Sequence, residues 1–238
     1  MSPGAVAAAL ARRGVTVAAL SDHNSGGNLA AWAEAAATAG VKPLYGLEVR
    51  TAEEADVLTV FDELGAALDF GQWVYDALPD VPCDERVFGV QVQVDAQENV
   101  LGFEPRLLIS GIDHELEVVC QTARERGALV IGAHVDRTVD SILSQLGWLP
   151  EGLAIDAVEV TRFADEEALC AEHPSLAGVP VVRFSDAHLM ADIGYQQTEF
   201  WVAEPTVTEL RLALRGEGGR SARPVRRALA GLREPEET

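Results

Sequence analysis

The chain predicts one α/β domain, most simply a barrel-like sheet wrapped by helices. Three observations point there. Short β-branched apolar runs alternate with helical stretches along most of the sequence. Those runs are apolar almost throughout rather than alternating, as strands buried on both faces are. The 238 residues, 48% of them hydrophobic, match a single core of barrel size better than two small ones.

Ser2 and Pro3 read as the N-cap and first turn of an amphipathic helix through MSPGAVAAALARRG. That segment lacks the basic start and long apolar centre of a leader peptide. Val15 to Leu20 (VTVAAL) reads as a strand closing on the polar loop SDHNSGG, and Ala-rich Leu29 to Ala39 as a helix. The unit recurs with strand Lys42 to Val49, strand Asp56 to Phe61 and helix Glu63 to Ala77. Pro79 to Arg106, with its VQVQVD alternation and turn-like QEN, reads as an excursion carrying a small hairpin that rims the domain. The alternation resumes with helix Glu115 to Arg126, strands Ala128 to Ala133 and Asp156 to Val160, helix Glu166 to Glu172 and strand Val179 to Phe184. Helix Val207 to Arg215 closes a domain of residues 1–215, and Gly216 to Thr238 reads as a frayed Arg-, Gly- and Glu-rich tail.

The formal net charge of −20 and a pI near 4.5 come from acid spread along the chain. Such a surface repels polyanions, so the expected partner is a small anionic substrate held by metal, with no broad nucleic-acid surface. Cys83, Cys120 and Cys170 are odd in number and far apart, which fits reduced thiols in a cytoplasmic protein rather than a disulfide framework or a structural zinc knot. No run approaches the roughly 20 apolar residues that cross a membrane.

His23, Glu48, His134 and the pair Asp186 and His188 fall at or just beyond the C-terminal ends of four predicted strands. In a parallel barrel those ends share one face, where such folds keep their active sites. Imidazoles with carboxylates suit zinc, manganese or iron, and carboxylates can bridge more than one ion. Each residue alone has a plainer reading: Asp22 as a helix N-cap, Glu48 as a rim carboxylate, His134 as a satisfied core histidine, Asp186-Ala-His188 as a polar loop. Their joint occurrence favours the site, whereas His114 and His173 lack that setting and read as surface residues.

At these positions the sequence resembles the polymerase and histidinol phosphatase (PHP) family. VAALSDHNSGGN is similar to its second motif, GLEVRTAEEADVLTVFD to its Glu-containing motif, IGAHVDR to its third and RFSDAHLMADIG to its fourth. The four occur in order, and the similarity runs from about Ser2 to Gly194. The resemblance implies a distorted TIM-like barrel of seven strand-helix units and hydrolysis of phosphate esters with two or three divalent ions. It implies His23, Glu48, His134, Asp186 and His188 as ligands, with Glu48 bridging and Asp22 orienting a neighbouring ligand by hydrogen bond.

Two features depart from the family pattern. Asp56 stands where the family usually has histidine, a carboxylate that still suits a hard or borderline ion. The family also opens with a His-x-His strand before the Ser-Pro helix start, and no such segment precedes Ser2. The barrel is therefore expected to lack its first strand, which implies either a longer native protein or a degenerate one with a weakened metal site. With the site complete, the ions would lower the pKa of a bound water for attack on phosphorus. Arg137 and Arg183 are candidates to neutralise phosphate charge, with rim ion pairs as the competing reading, and Asp136 to relay a proton or hold Arg137. Amide or phosphonate hydrolysis on the same scaffold, and a non-catalytic domain that binds a partner or metal, are the rival readings.

Overall fold

The computed structural model describes residues 1–226. Helix α1 (Pro3–Arg12) starts as the sequence dictates: Ser2 Oγ accepts from the Ala5 amide and proline occupies the first turn. Strand β1 (Val17–His23) leads through a turn into α2 (Leu29–Ala39), which ends at Gly40 in the left-handed region, φ 75°. Buried Trp32 on α2 donates its indole N–H to the Leu44 carbonyl at 2.9 Å, fixing the helix against β2 (Lys42–Arg50). Next come β3 (Asp56–Phe61), α3 (Leu64–Asp76), the short α4 (Glu85–Phe88) and the hairpin β4 (Val92–Val94) with β5 (Val100–Phe103). The second half runs α5 (Leu116–Glu125), β6 (Leu129–Gly132), α6 (Ile142–Leu146), β7 (Ala157–Glu159), α7 (Glu166–Glu172), β8 (Val181–Val182), β9 (Gln196–Trp201), α8 (Val207–Arg215) and β10 (Ser221–Arg226).

Six strands form the central sheet in the order β1-β2-β3-β6-β7-β8. All pairings are parallel except those of β3, which runs antiparallel to both β2 and β6. The register places Arg50 opposite Asp56 and Gly132 opposite Val57. A reversed strand begins where its neighbours end, so Asp56 sits at the same end of the sheet as the last residues of β2 and β6. The core behind this sheet holds Trp32, Leu47, Phe61, Phe70, Ile112 and Leu116, all buried.

The structure corrects four expectations. The sheet is not closed into a barrel among the described residues: β1 and β8 are its edges, and the reversal of β3 breaks the all-parallel pattern. The first strand starts and ends later than VTVAAL, so His23 is its final residue. Part of the expected frayed tail is ordered: β10 pairs antiparallel with β9, and Arg220 forks Glu209 of α8 at 2.8 and 2.9 Å. Residues 227–238 of that expected tail lie outside the described residues. His114, expected at the surface, is half-buried and stacks on Trp73 with ring centroids 4.3 Å apart. Among the described residues no helix is long and apolar enough to cross a membrane.

Candidate metal centre

β1 and β2 run parallel with His23 opposite Glu48, so the two side chains share a face at the C-terminal end of the sheet. Glu48 stands between two imidazoles. Its Oε1 lies 3.2 Å from His134 Nε2 and its Oε2 3.4 Å from His23 Nδ1. Asp56 Oδ2 approaches His134 Nε2 to 3.7 Å. Glu48, Asp56 and His134 are all buried and bring one ligand atom each to within 4.8 Å of one another, a group that can hold a metal ion. Among the described residues His134 Nδ1 finds no hydrogen-bond partner, and His23 Nδ1, although near Glu48, lacks hydrogen-bond alignment. Buried imidazole nitrogens without partners, set among carboxylates, are the donor set that a divalent cation satisfies.

The electrostatics agree. Burial works to raise Glu48, but the hydrogen bond to His134 and the charges of His23, His134 and His188 outweigh it and hold the carboxyl below its ordinary range. Burial works to lower His134, and the hydrogen bond and charge of Glu48 prevail and raise it. The two shifts run in opposite directions, and each favours the charged form of its group.

His134 follows β6 at φ 28° and Asp186 follows β8 at φ 39°. The left-handed region is costly for side chains with a Cβ and persists where surrounding contacts enforce it. At His134 those contacts are the Ala133 amide on the Asp56 carbonyl (3.1 Å), the Val135 amide on the Glu159 carbonyl (2.8 Å) and the His134 amide near Glu159 Oε2 (3.4 Å).

Asp186 accepts from Arg137 Nη2 at 2.5 Å, so Arg137 neutralises a candidate ligand within the protein. His188 is 64% exposed, with its ring 6.1 Å from that of His23. Asp22 accepts from the Asn28 side chain at 3.0 Å, and Asn28 also bonds Val92 and Val94 of the hairpin. Asn28 thus links Asp22, at the end of β1, to the hairpin. Asp136 commits both oxygens to Thr161, at 2.7 Å to its amide and 2.5 Å to its hydroxyl. Arg183 forks Glu166 and donates to the carbonyls of Thr161 and Ala164. Neither Asp136 nor Arg183 makes a hydrogen bond to the metal group among the described residues.

Two residues of the site escape sequence reading. Arg50 forks Asp56 with two 2.9 Å contacts and reaches Asp140 at 3.1 Å. Glu159, 5% exposed at the end of β7, is pushed up to about 7 by burial and by the charges of Asp186 and Glu48. A carboxylate set between the valines of DAVEV is the signal that marks Glu159.

No protein-family model matches the chain, and no curated protein matches it by sequence. Solved structures do. Endonuclease Q from Pyrococcus furiosus, a lesion-specific endonuclease, superposes with a TM-score of 0.69 at 18% identity. The match covers 93% of this chain and 53% of that one, so the chain spans about half of Endonuclease Q. Endonuclease Q in complex with a 27-mer duplex carrying an abasic lesion at the active site matches with a TM-score of 0.68, 19% identity and the same coverage. A protein of Bifidobacterium adolescentis designated a metal-dependent phosphoesterase matches with a TM-score of 0.53 at 13% identity, over 90% of this chain and 91% of that one.

These likenesses define the fold: an α/β scaffold shared with a lesion-specific endonuclease and with a protein designated a metal-dependent phosphoesterase. They also correct the expectation that the acidic balance leaves no nucleic-acid surface, because a chain of this fold takes duplex DNA at its active site. Net charge averages over the whole surface, whereas a polyanion responds to the local field, which guanidinium groups and metal ions reverse.

Proposed function

We propose that this chain is a metal-dependent phosphodiesterase acting on nucleic acid. The observation that carries the proposal is the convergence of His23, Glu48, Asp56 and His134 from four strands at one end of the sheet. The likeness to Endonuclease Q and to a metal-dependent phosphoesterase supports the reaction class, and the DNA complex supports the substrate class. In this reading His23, Glu48 and His134 hold metal, with Asp56, Asp186 and His188 available from β3 and the loop after β8. A divalent ion there supplies charge for the phosphate oxygens and acidifies water. The protein's own groups do the rest. Glu48 fixes the His134 imidazole and approaches that of His23, Glu159 supports the His134 bend, and Arg137 holds Asp186 and offers a guanidinium to phosphate.

Incubating the full chain with labelled single-stranded and duplex oligonucleotides, with manganese, zinc or ferrous ion supplied in turn, tests the reading. Cleavage that is lost in Glu48→Gln and His134→Ala supports it. Absence of cleavage with every metal overturns it.

A further inference from the structure

Asp136 and Arg183, which make no hydrogen bond to the metal group, converge instead on one turn. Asp136 takes the amide and hydroxyl of Thr161, while Arg183 takes the carbonyls of Thr161 and Ala164 and anchors itself on Glu166 at 2.7 and 3.0 Å. Inside the turn the Phe163 amide donates to Thr161 Oγ1 at 3.3 Å. The segment between those anchors is Arg162-Phe163, and Phe163 is 76% exposed. The Arg162 guanidinium lies 4.7 Å from the Phe163 ring centroid and 5.1 Å from that of Tyr195, at the far end of the loop that carries Asp186 and His188. A turn held from both ends that keeps an aromatic ring in water has the character of a binding surface rather than of a packing element.

Its chemistry selects the ligand. A flat exposed ring with a guanidinium stacked beside it favours a planar π-system that carries negative charge nearby. Unpaired bases of a nucleic acid stack on aromatic rings and arginine planes in this way, with the phosphates next to the cation. The placement fits as well. Phe163 is four residues beyond Glu159 and hence within about 14 Å of it along the chain, in reach of a base flanking a phosphate at the metal group. We propose that Arg162 and Phe163 form a stacking platform for an unpaired nucleobase of the substrate, with Asp136 and Arg183 as its positioning residues. This proposal rests on the nucleic-acid reading above.

The test uses the full chain with manganese and a single-stranded oligonucleotide of about 12 nucleotides containing 2-aminopurine, whose fluorescence falls on stacking. A matching oligonucleotide with abasic positions in place of the central bases serves as the comparison. Wild type is expected to bind the base-bearing strand and quench it. Phe163→Ala is expected to lose the quench and about tenfold or more in affinity for that strand, while Phe163→Trp retains both. Phe163 is at the surface, so circular dichroism should report unchanged folding in its variants. Asp136→Asn, which keeps one acceptor for Thr161, is expected to lie between wild type and Phe163→Ala. Equal affinity and quench in wild type and Phe163→Ala overturns the platform while leaving the nucleic-acid reading standing. Binding of neither strand by wild type overturns both.

Discussion

A carboxylate buried beside Glu48 and Asp186 resists ionisation, because burial withholds water from the charge and two neighbours repel it. Glu159 accordingly sits at about 7 in the folded chain against an ordinary 4.5. The folded state then holds this proton more tightly than the unfolded state does. Its contribution to stability is complete below pH 4.5, erodes as the pH rises and is gone above about 7. The span of about two and a half units corresponds to roughly 3 kcal/mol as an upper figure. Urea unfolding of the metal-free protein between pH 4.5 and 7.5 should show this decline, and Glu159→Gln should flatten it; an unchanged slope in the variant refutes the assignment. His134 gives a complementary test. Its pKa is raised above the ordinary 6.5, burial being outweighed by the hydrogen bond and charge of Glu48, and a proton on the imidazole competes with metal. Manganese affinity measured by calorimetry should therefore climb with pH through a midpoint above that ordinary value. In Glu48→Gln the midpoint should move down, since the charge that raises His134 is gone.

The direction of β3 decides what Asp56 can reach, and here sequence and structure part company for a traceable reason. DVLTVF is legible as a strand from its β-branched residues, but composition says nothing about which way a strand runs. The signal lay in the link. Thr51 to Ala55 is far shorter than the dozen or so residues that a parallel crossover needs, so β2 and β3 had to form an antiparallel pair. That pairing sets Arg50 opposite Asp56 and buries their fork, with side chains 16% and 2% exposed. Removing one member of a buried pair leaves the other charge unpaired, at a cost of about 3–5 kcal/mol. Arg50→Ala should lose that much in urea unfolding, whereas the same change at Arg86, an exposed side chain paired with Asp84, should leave stability within error. The strand ends bearing His23, Glu48 and His134 were legible because apolar runs stopping at His or Glu stand out. β9 was not, since QQTEFW has no apolar run, and β10 was obscured by its arginines and proline. Arg50 stayed hidden because its fork on Asp56 appears only once β2 and β3 are paired antiparallel, and Glu159 because Glu48, His134 and Asp186 reach it from elements distant in sequence.

At the scale of the molecule the chain carries far more acid than base, and the metal group concentrates that excess where Glu48, Asp56, Asp140, Glu159 and Asp186 gather around two arginines, the buried His134 and the half-buried His23. Global composition pointed away from polyanions because it cannot reveal that such a gathering invites cations. A fold with carboxylates held together in this way is relieved by any divalent ion that binds it, and an ion that binds the folded state alone stabilises it by mass action. With manganese at about 1,000 times its dissociation constant the gain is roughly 4 kcal/mol, or on the order of 8–16 °C in Tm for a chain of this size. Thermal melts with stepwise manganese should show that rise, and a chelator should reverse it. His134→Ala removes a nitrogen from the centre of the group and should abolish the shift. Arg223→Ala, whose partner Glu199 lies in the β9–β10 ribbon, should keep it. A rise of equal size in His134→Ala would place the stabilising ion elsewhere on the acidic surface and exclude the cluster at the end of the sheet as its binding site.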